Sequence, residues 1–228
     1  MTGVQTCALP ILYQEKGQYV TADKLFRRAI ALKGETLNLY INLSSVSINL
    51  KNYDDAIRFG KMAIEKDPTS GFGWYNHGRA LIRVGKFEEG EKSINEALRI
   101  DPKNVDWKIE FGNTYFEVAQ YQKAIEIYQQ VLPLLKDNDR LSSVYSNMGS
   151  CYGQLGRMKD AEQMFLKSIA HNPKSDITYL NLIVYYCKEE KNLEKANFYA
   201  EKYKSLGLVL PPDVVAIMNL VRKELNRY

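Results

Sequence analysis

Apolar and polar positions recur along most of this chain with the period of an α-helix. Over residues 87–98, Phe87, Gly90, Ile94, Ala97 and Leu98 fall on one stripe while Glu88, Glu89, Glu91, Lys92 and Glu96 lie off it, the mark of an amphipathic helix. The pattern repeats. Laying the stretch that begins at Tyr145 over the one that begins at Trp74 brings aromatic, small, apolar and proline positions into register. One column of small residues runs Ala22, Ala56, Gly90, Ala124, Ala161, Ala196, at spacings of 34, 34, 34, 37 and 35 residues. Another runs Ser44, Gly78, Gly112, Gly149, and Pro68, Pro102 and Pro173 each follow a small residue by twelve positions. Each unit therefore predicts two helices. Gly17, Gly85 and Gly156 break the first of them by taking a left-handed conformation at low cost. Asp67, Asp101 and Asn172, each before a proline, end the second. Small residues such as Gly78, Gly112 and Gly149 let paired helices approach, and Trp74 and Tyr152 are expected to fill the spaces around them.

These columns resemble the tetratricopeptide repeats, whose 34-residue signature runs W-x2-L-G-x2-Y, then A-x3-F, then P. Tyr145, Met148, Gly149, Tyr152, Ala161, Phe165 and Pro173 match it, and Lys108, Phe111, Gly112, Tyr115, Ala124 and Tyr128 match except at the first place and the proline. The unit at Trp74 has His77 in the Leu place and Leu81 in the Tyr place, and the unit at Tyr40 departs at Ser44, Ser47 and Gly60. The resemblance implies an all-α fold, a right-handed α-solenoid of helix-turn-helix repeats. Residues 12–206 are expected to hold a truncated first repeat and five more. In residues 207–228, Val214, Ile217, Met218, Val221 and Leu225 form one stripe, read as a C-terminal capping helix that covers the last hydrophobic face. A basic helix for a membrane surface or a partner's groove is the alternative reading of that segment.

The first eleven residues, MTGVQTCALPI, carry no charge. Counting back one repeat from Tyr40, Leu43 and Ser44 reaches Thr6, Leu9 and Pro10, so the small-residue column would hold a mid-helix proline that removes a backbone donor. The repeat is expected to fail there. The segment lacks the basic start of a secretory signal, and it resembles the translation of a common sequencing-adapter oligonucleotide. Residues 1–11 are accordingly expected to be a cloning or assembly scar, with a degenerate native half-helix as the alternative. On the scar reading the true N-terminus is missing.

Charge and chemistry narrow the function further. The 31 basic and 27 acidic residues are interspersed, giving a net charge of +4. No single-sign block argues for a nucleic-acid surface, and no apolar run approaches the roughly 20 residues of a membrane span. The expectation is a soluble chain, with the cytoplasm favoured. Cys151 and Cys187, the cysteines outside the first eleven residues, make no disulfide framework, and Cys151 shares its column with Ala80 and Thr114 as a small core residue. His77 and His171 stand in different columns, so no metal cluster or Cys-His pair is expected. The stretch GFGWYNHG from Gly71 follows no strand and reads as a turn into a helix rather than a phosphate loop. No catalytic residue, metal ligand or cofactor is proposed, and no small-molecule substrate.

What remains is surface. First helices of stacked pairs line one face, and residues off their packing stripe meet a ligand. These are Ile41, Tyr75 and Ile109, each followed by a polar residue, and Asn42, Asn76, Asn147 and Asn181, with Glu110 interrupting the amide column. One turn on stand Ser45, Arg79, Asn113 and Ser150, then Asn49, Arg83 and Gln154, while Phe72 and Phe116 add apolar bulk. An asparagine side chain both donates and accepts, so it can bind the backbone of an extended peptide without reading its side chains. The column resembles the asparagine ladder in the repeat arm of the O-linked sugar transferase. It lacks the lysine column of repeats that clamp a C-terminal carboxylate. The expected function is a non-catalytic scaffold holding a peptide or partner helix in its groove, with a protein or peptide as partner. The rival is the recognition arm of a larger enzyme whose catalytic region lay upstream. A nucleic-acid groove would need a basic stripe, and Arg79 with Arg83 supplies only a local one beside Glu110 and Glu117.

Overall fold

A computed structural model of the chain describes residues 5–225; residues 1–4 of the N-terminal segment and 226–228 of the C-terminal one lie outside the described residues, as does the side chain of Cys7. Among the described residues there are helices and no strand. The chain divides after Thr114 into two compact units.

The first unit contains α1 (Gln5–Glu15), α2 (Tyr19–Lys33), α3 (Leu37–Asn49), α4 (Tyr53–Lys66), α5 (Gly71–Arg83), α6 (Phe87–Ile100) and most of α7 (Val105–Glu117). Consecutive helices pack as antiparallel pairs, and α3 also lies against α5, first helix beside first helix. Small residues set how close a pair comes. A Cβ on Gly78 would stand 2.6 Å from the Gly90 carbonyl oxygen, so α5 and α6 meet backbone to backbone. In the α3–α4 pair Ser44 occupies the same column, and its buried hydroxyl donates to the Ala56 carbonyl at 2.8 Å. Gly60 makes room for His77, whose Nδ1 lies 3.1 Å from the Ser93 hydroxyl. Burial holds the His77 imidazole below its ordinary pKa. Inside the fold this histidine packs between Gly60 of α4 and Ser93 of α6.

The first helix departs from expectation. It runs through Pro10, which is buried, and it packs on α2, with Tyr13 against the core formed by Phe26, Leu39 and Leu43. The missing donor and the clash are local costs, and they do not end the helix. Trp74 also differs. It is half-buried, and its indole N–H donates to the Pro68 carbonyl at 2.9 Å, holding the loop that precedes α5. The buried indole is Trp107.

The second unit contains α8 (Tyr121–Val131), a 3-10 turn (Leu132–Leu134), α9 (Asn138–Gln154), α10 (Met158–His171), α11 (Asp176–Lys188), α12 (Leu193–Ser205) and α13 (Pro212–Leu225). The spacing of 37 residues between Ala124 and Ala161 is absorbed by this turn and by α9, which has 17 residues where α11 has 13. Its core holds a chain of hydroxyls: Ser168 donates to the Ser142 carbonyl at 2.8 Å and lies 2.9 Å from Thr178, which donates to Ser146 at 3.2 Å. These buried groups are satisfied, which keeps their desolvation from costing stability. Cys151 and Cys187 are free and buried, and burial pushes the Cys151 thiol up to about 12. Both cysteines are packed inside the core of this unit. The helix α13 packs on α11 and α12 with Val214, Met218 and Val221 buried; Ile217 is only partly covered and Leu225 stays exposed.

One backbone device closes first helices in both units. The chain takes a left-handed conformation at Gly17, Lys51, Gly85, Ala119, Gly156 and Lys191. At Lys51 the residue's own N–H bonds the Ile48 carbonyl at 3.0 Å and the next, Asn52, bonds Ser47 at 2.9 Å. The pair of bonds is a Schellman cap. Glycine serves this corner in half of the repeats, and lysine or alanine accepts the strain in the others.

Candidate functional site

Four first helices or their ends, α1, α3, α5 and the start of α7, line a groove of about 750 Å³ in the first unit. Its wall is aromatic. Tyr75 stacks on Trp107 with ring centroids 5.1 Å apart and planes 12° off parallel, and Phe72 meets Trp107 edge-on at 5.0 Å. The Tyr75 hydroxyl donates to the Trp107 carbonyl at 3.4 Å. Gly71 explains the fit: a Cβ there would stand 2.6 Å from the indole ring, so the first turn of α5 leaves the space that Trp107 fills. Asn104 accepts the Trp107 backbone N–H at 3.1 Å, in the manner of a helix cap, and fixes the start of α7. Within this wall Phe72 remains 55% exposed, whereas Tyr75 is 3% and Trp107 7% exposed.

The polar part of the groove comes from α1 and α3. Thr36 caps α3 by accepting the Leu39 N–H at 3.4 Å, and Asn38, Asn42 and Ser45 follow along the helix. Gln14 donates to Ser45 at 3.3 Å across the floor. Asn76 is buried, with its amide bonded to the Ile41 carbonyl at 3.1 Å, so it ties α5 to α3. Among the described residues Arg79 is the one charged residue on the lining. Its guanidinium lies over the Tyr75 ring at 5.5 Å, and the nearest Glu110 oxygen is 3.9 Å away.

The residues singled out from sequence separate into three sets. Ile41, Asn42, Ser45, Phe72, Tyr75, Asn76 and Arg79 line the groove of the first unit. Tyr75 and Asn76, expected off the packing stripe, are buried in it, because the stacked indole and the bond to Ile41 draw them in. In the second unit Ser150, Gln154 and Asn181 line a smaller groove of about 460 Å³ to which the start of α13 contributes Asp213 and Val214. Asn49, Arg83, Ile109, Asn113, Phe116 and Asn147 line neither. Asn49 bonds back to the Ser45 carbonyl at 2.9 Å, Asn113 donates to Glu110 at 2.9 Å, and Phe116 meets Tyr121 edge-on at 5.6 Å. Sequence reasoning missed Ile11, Gln14, Thr36, Asn38, Leu39 and above all Trp107. A signal for Trp107 existed: Gly71 leaves a gap at the start of α5 that a large side chain one repeat later can fill.

Among the described residues no group of three or more His, Cys, Asp or Glu side chains is placed to hold a metal, and no helix is long and apolar enough to cross a membrane.

Comparison with known proteins gives the fold its name. Residues 105–174 and 73–104 each match a family model described as tetratricopeptide repeat. The Hsp70-Hsp90 organizing protein of Triticum aestivum is 27% identical over 212 residues, which is 92% of this chain and 32% of that protein. The chain thus spans about a third of the length of this curated relative. Among solved structures, a thermophilic TPR protein of Thermus thermophilus superposes with a TM-score of 0.60 at 17% identity, covering 88% of this chain and 98% of that one. YrrB, described as a TPR protein with an unusual peptide-binding site, superposes with a TM-score of 0.53 at 22% identity, covering 87% and 97%. Residues 73–174 match models of tetratricopeptide repeats, and the chain has the all-α repeat fold of solved TPR proteins.

Proposed function

We propose that this chain is a non-catalytic interaction module that holds an extended peptide segment of a protein partner in the groove of its first unit. The observation that carries the reading is the pairing, on one lining, of an aromatic wall at Phe72 and Trp107 with a row of uncharged amides and hydroxyls at Asn38, Asn42 and Ser45. Apolar anchors supply affinity, and side chains that both donate and accept suit a peptide backbone. The name of the wheat relative raises chaperones as partners. The lining has one arginine and no lysine, which favours contacts along a peptide over capture of its terminal carboxylate. Residues 1–11 are taken, as a proposal, to be a translated oligonucleotide, although Ile11 at its end stands on the groove lining. The test is a bead library of peptides acetylated and amidated at their ends, screened against the full chain. The expected result is a set of binders that compete with one another and bind one per chain. Recovery of no capped binder, or of binders that fail to compete, would contradict the reading.

A further inference from the structure

We infer that the groove of the first unit selects an internal acidic side chain spaced three residues from a large apolar one, with the carboxylate at Arg79 and the apolar group against Phe72 and Trp107. The inference rests on the peptide-binding reading above and names the chemistry of its ligand. Phe72 and Arg79 lie seven residues apart on α5. At 100° per residue they share a face, and at about 1.5 Å per residue they are about 10.5 Å apart along the axis. An extended peptide advances about 3.3 Å per residue, so about three residues cover that distance.

Charge complementarity decides what belongs at the Arg79 end. Among the described residues the lining carries no Asp or Glu, and Arg79 is its one cation. The neighbouring Glu110 approaches only to 3.9 Å, at the outer limit of an ion pair, and Arg79 Nε is itself buried without a hydrogen-bond partner. The side chain is 19% exposed and is steadied over the Tyr75 ring. A guanidinium that is weakly paired and still partly exposed at its outer end suits a carboxylate, which accepts from it in the stronger, charge-assisted form of hydrogen bond. Shielding by the aromatic wall strengthens the pairing further, because a partly buried charge pair is screened less than an exposed one. At the other end Phe72 presents an exposed ring beside a rigid, buried indole, which suits a Leu or Phe side chain.

The test uses the full chain and a series of fluorescent peptides, acetylated and amidated, each with one Glu and one Phe in a Ser-Ala background. Their separation is varied from about one to five residues around the three that the geometry sets. Anisotropy should give tightest binding at a separation of three. Arg79→Gln, and Glu→Gln in the peptide, should each weaken it on the order of tenfold, and the two changes together should cost no more than one. The peptide substitution keeps the test sound if the protein variant folds poorly. Affinity that is flat across the spacings, indifferent to Arg79→Gln, or dependent on a free C-terminal carboxylate would overturn the inference. Binders that lose affinity with Phe72→Ala yet need no acid would overturn it while leaving the groove standing. No binding that depends on Phe72 would overturn both.

Discussion

Ala119 holds its backbone at φ 58° at the end of α7, a corner that Gly17, Gly85 and Gly156 fill at φ 71°, 83° and 72°. A side chain in this region costs roughly 1–2 kcal/mol of strain, and glycine removes it while losing about 0.5–1 kcal/mol through the greater freedom of the unfolded chain. Ala119→Gly should therefore raise stability by up to about 1 kcal/mol in chemical denaturation; a loss of similar size would mean that the corner is not strained. The two tryptophans give a sharper contrast. Trp107 is buried against Tyr75 and Phe72, so Trp107→Ala should cost about 3–5 kcal/mol. Trp74 is half-buried and its indole holds the Pro68 carbonyl, so Trp74→Ala should cost clearly less. Denaturation midpoints that rank the two in the opposite order would contradict the packing described.

Element boundaries were largely legible in the sequence, because the column of small residues fixes where second helices cross first ones and the prolines mark where each pair ends. Two features were not. The 3-10 turn at Leu132–Leu134 and the lengthened α9 leave no stronger trace than a spacing of 37 in place of 34. The run of α1 through Pro10 goes against local propensity, which the contacts of Tyr13 and Gln14 override. Those contacts lie beyond residue 11, and of the first-segment side chains described, Leu9 and Ile11 are largely exposed while Pro10 is buried. Deleting residues 1–11 should accordingly cost less than about 2 kcal/mol. A larger loss in thermal melts would make the segment a working part of the fold. The groove was half legible: a regular column of first-helix positions reached Asn42, Phe72 and Arg79, but Trp107 enters from a neighbouring column through the gap at Gly71, and periodicity alone does not see a gap.

Within each unit a helix pair packs on the pair beside it in sequence, so the stability of the molecule is expected to behave as a sum of repeat and neighbour terms. Hydrogen exchange in the Trp107→Ala variant should quicken most in α5, α6 and α7 and leave α12 and α13 close to their original rates; equal quickening from end to end would contradict this. The central claim is that the groove of the first unit is the working surface, and the most direct measurement pairs affinity with stability in one variant. A capped peptide selected on the full chain is titrated against that chain and against one carrying Asn42→Ala, Phe72→Ala and Arg79→Gln. None of the three is fully buried, so helix content and melting temperature should hardly move, while binding should weaken by about 2 kcal/mol or more, on the order of thirty-fold. Unchanged melting together with undiminished affinity would place the binding surface elsewhere on the molecule.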